Sequence, residues 1–328
     1  MSTMLEQNAA GGSVVGFMLI KTCDKKVSSK KLPYLDMVLS DKGGEISAKL
    51  WDYSPERHGE FGAGDIIKVK GTVDLWNGSP QLRIERIRSK MSTDDVTMED
   101  LIAGTPLAPA DMLTIIHQTI DKFENKELSR LVSFLLEQAG DGFLTNSAAV
   151  RMHHTMRGGL IYHTFSMMNA AAALCDVYPF LNRDLVLGGI IVHDLGKLKE
   201  INYAATGLAV EYTPKGNMTG HLVGGAIDIA LAAKELNITD ECVTLLQHIV
   251  LSHHGVPEFG SPIAPMFPEA QVVATIDKLD AELFEMTSAM SGVAVGTTTS
   301  KVWGLDRKLY RHSEDTAYRL SAEEEQGK

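Results

Sequence analysis

The hydrophobic period of this chain changes once, between residues 91 and 110, and that change constrains the fold more than any other feature. Before it, the runs VVGFMLI, YLDMVLS, EISAKLWD, DIIKVKGTV and PQLRIERI are short, alternating or β-branched, as strands require. Turn-forming residues separate several of them: Asp41-Lys42-Gly43-Gly44, Gly62-Ala63-Gly64-Asp65 and Asn77-Gly78-Ser79-Pro80. Five such strands over 13–90 fit a small all-β Greek-key barrel. From Asp111 the period is helical. Asp111 is placed to cap MLTIIHQTIDKF, Asn125 or Lys126 opens ELSRLVSFLLEQAG, and Gly140 is expected to end it. Further helices are expected over 145–156, 159–176, 183–193, 219–235, 239–253 and 268–290, with a hairpin excursion within 200–218. The division is therefore a barrel at 13–90, a linker at 91–110 holding a short helix near 97–103, an all-α bundle at 111–312 and a charged tail at 313–328.

A chain of 328 residues can support two such cores. No apolar run approaches the roughly 18–20 residues of a membrane span, and no signal-like segment opens MSTMLEQNAAGGS. Three widely spaced cysteines, Cys23, Cys175 and Cys242, read as free thiols, so a cytoplasmic location is expected. The net charge of −11 conceals an asymmetry: residues 1–90 carry 14 Lys+Arg against 11 Asp+Glu, and the rest 17 against 31. A mildly basic module beside an acidic one suggests that the first meets polyanions, whereas the second suits divalent cations.

The acidic half contains an ordered series of metal-ligand residue types: His163, His193-Asp194, His221, His253-His254 and Asp277. Neutral imidazoles and carboxylates suit manganese, iron, cobalt or zinc. Seven such groups exceed the needs of one ion, and an aspartate set between two ions can use both oxygens, which points to two-metal phosphoester hydrolysis. Adjacent residues on a helix diverge by about 100°, so His193 and Asp194 share a site only where the helix ends; Gly196 supports an end there. Lys197, three residues on, is placed to contact a scissile phosphate. Upstream, Arg157 could fork a phosphate, and His154 or its neighbour His153 could donate a proton to the leaving oxygen. Asp280 is a lower-ranked rival to Asp277.

In the barrel segment Trp51, Tyr53 and Trp76 are interleaved with Lys49, Lys68, Lys70, Arg83, Arg86 and Arg88. Aromatic stacking beside a cationic groove is how OB-folds hold single strands. The order SDKGGEISAKLWD, GAGDIIKVKGTV, GSPQLRIERI resembles the OB domains of nucleic-acid-binding proteins. The series H…HD…H…HH…D resembles the HD-domain superfamily of metal-dependent phosphohydrolases, in whose binuclear members the position of Asp194 bridges the ions.

Together, an OB-like barrel and HHxxRGGLxxH…HDLGK…H…SHHG…D resemble the YhaM-type 3′-5′ exoribonucleases over about residues 13–312, and the run KVWGLDRKLYR is similar to that family's C-terminal portion. The resemblance implies a fold of an OB barrel plus an HD helical bundle, with two divalent ions, Mn²⁺ first and Fe²⁺, Co²⁺ or Mg²⁺ as rivals. It implies hydrolysis of single-stranded RNA, and of single-stranded DNA as a second substrate, to nucleoside 5′-monophosphates, and it allows a homo-oligomer. An alternative is an HD phosphodiesterase for a small or cyclic nucleotide, although the expected GYP after the histidine pair is replaced by HHGVPEFGSP. A di-iron oxygenase or a non-catalytic nucleic-acid adaptor are further readings, opposed by the barrel and by the complete ligand set respectively.

Overall fold

The computed structural model describes residues 12–42, 44–76, 79–97, 100–102, 104–149, 156–204, 206–239, 241–291 and 293–313. Two compact units meet in sequence at Gly104 and Thr105. The first is an OB-fold: β1 (Ser13–Val27), β2 (Pro33–Asp41), β3 (Gly44–Trp51), β4 (Ile66–Trp76) and β5 (Ser79–Ser89) close a barrel in the order β1-β2-β3-β5-β4. Only the β3–β5 contact is parallel; β1 pairs antiparallel with both β2 and β4. Because side chains alternate along a strand, Leu35, Met37 and Leu39 of β2 and Ile67, Val69 and Val73 of β4 fill the interior. A one-turn helix, α1 (Pro55–His58), links β3 to β4 and has no counterpart in the sequence reading, because four residues are too few to show a period. Within the expected linker, Asp94 takes a two-pronged bond from Arg88 of β5, at 2.6 and 2.8 Å, and Val96, Leu101 and Ile102 are buried.

The second unit is a helical bundle: α2 (Pro109–Asp121), α3 (Lys126–Thr145), α4 (Gly159–Val177), α5 (Arg183–Val192), α6 (Lys197–Glu200), α7 (Pro214–Leu236), α8 (Glu241–Ser252) and α9 (Pro268–Ser291). A small hairpin of β6 (Ile201–Tyr203) and β7 (Ala209–Tyr212) interrupts it. Asn125 caps α3 by accepting from the Leu128 amide at 3.0 Å, as read. Two expectations shift. Ala108, not Asp111, is the cap of α2, since Pro109 starts the helix with a pre-set φ. Gly140 (φ 56°, ψ −153°) ends the first helical stretch of α3, as expected, and a second stretch continues to Thr145. No helix covers 146–149, and residues 150–155 lie outside the described set. Every side chain from Leu185 to Val192 is buried, so α5 is the central helix around which the others pack. Among the described residues no helix is long and apolar enough to cross a membrane.

Candidate metal centre and nucleic-acid face

α5 delivers the centre. It stops at Val192, His193 is its C-terminal cap, and residues 193–196 turn before α6 begins. The turn sets His193 and Asp194 into one space, with His193 Nε2 3.2 Å from Asp194 Oδ2. Gly196 permits this approach, since a Cβ there would stand 2.5 Å from the His221 carbonyl oxygen. α7 bends at Gly220 (φ 65°, ψ 164°), a conformation costly for other residues, and restarts with His221 pointing inward. α8 ends at Ser252 and hands over to His253 and His254, while α4 contributes His163 and α9 contributes Asp277.

All seven groups converge, in two sets that a third group of His193, Asp194 and His253 joins. The donor atoms of His163, His193 and Asp277 lie within 4.8 Å of one another, and so do those of His221, His253 and His254. Asp194 stands between the sets. Its Oδ2 faces His193 and, at 3.8 Å, His163 Nε2; its Oδ1 faces His221 Nε2 at 3.5 Å and His253 Nε2 at 3.7 Å. Asp277 Oδ1 is 3.2 Å from His163 Nε2. Four of these inward atoms, His193 Nε2, Asp194 Oδ1, His221 Nε2 and His253 Nε2, are buried with no hydrogen-bond partner among the described residues. Leaving buried polar atoms unsatisfied costs about 1–3 kcal/mol each, and a cation is the partner that would satisfy imidazole and carboxylate together. The donor set fits divalent metal.

The outer nitrogens of His163, His193, His221 and His253 are fixed. His193 Nδ1 bonds the Ile190 carbonyl and His253 Nδ1 the Val250 carbonyl, each at 2.7 Å. His221 Nδ1 bonds Glu200 at 2.8 Å and His163 Nδ1 bonds Asp280 at 2.7 Å; Ser166 donates to the other Asp280 oxygen at 2.5 Å. A proton on Nδ1 leaves Nε2 as the ligating lone pair, which is the arrangement metal-binding histidines favour. Asp280 is thus a positioning residue behind His163. Glu200 escaped the sequence reading, since nothing in its 21-residue separation from His221 marks it.

Electrostatics suit the same use at His253 and His254, whereas His163 holds an extra proton that an ion at its Nε2 would have to displace. Burial, then the neighbouring His193, holds the His253 imidazole neutral, its pKa well below the ordinary histidine range. Burial, then His221, lowers His254 similarly. Burial opposes charge on His163, but hydrogen bonds to Asp277 and Asp280 prevail and lift its pKa to about 9. Burial likewise opposes ionisation of Asp194, yet His193 and Lys197 hold it ionised. Lys197 is buried at 8% exposure, with its Nζ 2.7 Å from Asp194 Oδ2. His154 lies outside the described residues, and Arg157 is half-buried in the turn before α4.

On the barrel, Trp51 is 44% exposed, packs on Tyr34 (centroids 4.6 Å apart) and has Lys49 Nζ 5.5 Å from its ring. Trp76 is exposed at the end of β4. Lys70 and Arg86 are exposed and paired in register, and Lys68 pairs with Arg88, both over the Phe17 ring. Arg83 is exposed and ion-paired to Asp74 at 3.1 Å. Tyr53 is a correction. It is 4% exposed and its hydroxyl donates to the Gly59 carbonyl at 2.9 Å, so its ring belongs to the core and is closed to a base.

A closed OB barrel joined to a helical bundle with seven converging histidine and aspartate side chains defines a metal-dependent phosphohydrolase of the HD class with an appended nucleic-acid-binding module. Family models agree: an HD domain matches residues 160–282 and an OB-fold nucleic acid binding domain matches 20–89. The chain is 39% identical to the 3′-5′ exoribonuclease YhaM of Shouchella clausii (strain KSM-K16), covering 95% of this chain and 98% of that protein. It is 37% identical to the proteins of the same name from Bacillus licheniformis and Bacillus subtilis (strain 168), covering 92% of this chain and 95% of each of them. The chain belongs to the YhaM 3′-5′ exoribonuclease family.

Proposed function

We propose that this protein shortens single-stranded RNA from the 3′ end, accepts single-stranded DNA as a second substrate, and releases nucleoside 5′-monophosphates at a two-metal centre. The observation that carries this reading is the division of the ligands around Asp194, whose two oxygens face two separate sets. His163, His193 and Asp277 would hold one ion and His221, His253 and His254 the other, with Asp194 shared. Mn²⁺ is the first choice and Fe²⁺, Co²⁺ or Mg²⁺ the rivals, because the set mixes imidazole with carboxylate. Bound ions of this kind supply an activated water and neutralise charge on the phosphate. The chain's own groups do the rest. Lys197 orients Asp194 through its 2.7 Å contact and brings a buried ammonium to the place where phosphate charge develops. Arg157 and His154, just ahead of α4, are assigned to the phosphate and to the leaving oxygen. Trp51, Trp76, Lys68, Lys70, Arg83 and Arg86 hold the strand on the barrel, with stacking and phosphate contacts dividing the labour. The protein is proposed to work in the reducing cytoplasm, in keeping with its three thiols.

Incubating the purified protein with a 5′-labelled oligoribonucleotide and Mn²⁺ tests this. Stepwise shortening that EDTA stops, with 5′-monophosphates as products, is the expected result. Release of dinucleotides or 3′-phosphates, or hydrolysis of cyclic dinucleotides alone, would overturn it.

A further inference from the structure

We propose that the hairpin spanning residues 298–310 is a second strand-binding element, on the helical unit. Trp303 stacks on a base of single-stranded RNA, and Lys301, Arg307 and Lys308 meet the adjoining phosphates. The inference rests on the reading above that RNA is the substrate.

Trp303 is 87% exposed, more than Trp51 (44%) or Trp76 (65%). Its backbone is nonetheless held in place. Bridges Thr298–Tyr310 and Val302–Arg307 form the hairpin, and Thr299 and Leu309 anchor its buried root. The Arg311 guanidinium donates to the Val293 carbonyl at 2.8 Å. At the tip, Gly304 packs so closely on the Glu285 carboxylate that a Cβ would collide with it, and Arg307 lies 3.8 Å from Glu282. A fixed tip that presents an indole to water gains nothing for folding from the ring's large apolar area.

Charge identifies the occupant. Residues 301–311 carry four cations against Asp306 alone, inside a portion of the chain where acidic residues outnumber basic ones by 31 to 17. Lys301 pairs with Asp306 and Arg307 with Glu282, but these are exposed ion pairs, which contribute little and exchange readily for phosphate. An aromatic ring within a cationic surround is the pairing that holds single strands without sequence preference. Place agrees with charge. Glu282 and Glu285 follow Asp277 on α9 by five and eight residues, roughly 7.5 and 12 Å along a helix axis. A strand whose end lies at Asp277 has its preceding nucleotides within reach of the tip.

The chain has three tryptophans, so a Trp51→Phe/Trp76→Phe protein reports on Trp303 alone. Titration with oligouridylate in EDTA, where no hydrolysis occurs, should quench its fluorescence. In the otherwise native chain, Trp303→Ala should raise the Kd for oligouridylate about fivefold or more, and Trp303→Phe should restore most of the loss. Lys308→Ala should lower the salt slope by about 0.7. Normal RNA binding by the unsubstituted protein, with no quenching and an unchanged Kd for Trp303→Ala, would overturn this inference and leave the substrate reading standing. Failure of the unsubstituted protein to bind RNA would overturn both. A change in sedimenting mass with an unchanged Kd would make Trp303 a contact between copies of the chain and defeat the proposal.

Discussion

The two units store their polar groups in opposite places. The barrel interior is filled by apolar side chains from Val14 to Ile84, and its cations and exposed aromatics lie outside. The bundle encloses His163, His193, Asp194, Lys197, His221 and His253, all at 8% exposure or less. Burying charge is expensive unless each group is paired, and here every buried group leans on another. The difference teaches how each unit should respond to substitution. Contacts spread over a surface are weak and nearly additive, whereas a buried network fails as a unit.

Asp194→Ala should show the largest contrast. Hydrolysis should fall to background and bound metal should drop, while affinity for RNA stays within about twofold, as the proposed stacking and phosphate contacts are made by other side chains. Single-turnover rates, metal analysis and anisotropy on one preparation decide it. Parallel loss of RNA affinity would show that the centre, not the barrel face, holds the strand.

Lys197→Ala comes next, because its ammonium is the cation nearest Asp194 Oδ2, at 2.7 Å. Loss of a charge-stabilising donor predicts a rate about 10²–10³-fold lower. Breaking a buried pair also predicts about 3–5 kcal/mol of destabilisation in the metal-free protein. Mn²⁺ should restore the melting temperature and leave the rate low. Recovery of both by metal would reduce Lys197 to a structural counter-charge.

The legibility of the two regions differed for the same physical reason. Strand alternation in YLDMVLS and EISAKLW comes from one apolar face, so β2, β3 and the barrel could be read directly. The metal-ligand types could be read as well, since His and Asp at helix ends are uncommon in so apolar a setting. The supporting groups could not. Glu200 reaches His221 only because the β6–β7 hairpin and the Gly220 bend bring α6 against α7, and neither leaves a periodic trace. Tyr53 misled for a related reason: an aromatic just past a strand end looks the same in sequence whether it points outward or, as here, folds over the barrel to bond Gly59.

That pair of aromatics sharpens the comparison within the barrel. Trp51→Ala should weaken RNA binding by about 1–3 kcal/mol through lost stacking and leave stability nearly unchanged, since the ring is half in water. Tyr53→Phe should do the reverse, costing about 0.5–1.5 kcal/mol of stability for one hydrogen bond with RNA affinity unaltered. Titrations and chemical denaturation of the two variants test this. Equal RNA effects would return Tyr53 to the binding face.

The smallest effect belongs to Asp94. Its bonds from Arg88 and from the Met91 amide at 2.7 Å hold its carboxyl well below the usual carboxylate range. A folded pKa below the unfolded one means the stabilisation is complete above the unfolded value of about 3.9. It is lost as pH falls through the folded value. Asp94→Asn should therefore speed amide exchange in β5 modestly at pH 7, where the native carboxylate is ionised. The difference from the native protein should shrink steadily below about pH 4. The bundle offers no such graded loss, because its ionised aspartates share one network with the histidines. Exchange rates in β5 and α5, measured from pH 7 downward, separate the two behaviours. If Asp94→Asn left β5 exchange unchanged at neutral pH, the Arg88 pair would be an ordinary surface contact, and the barrel's stability would rest on its apolar interior alone.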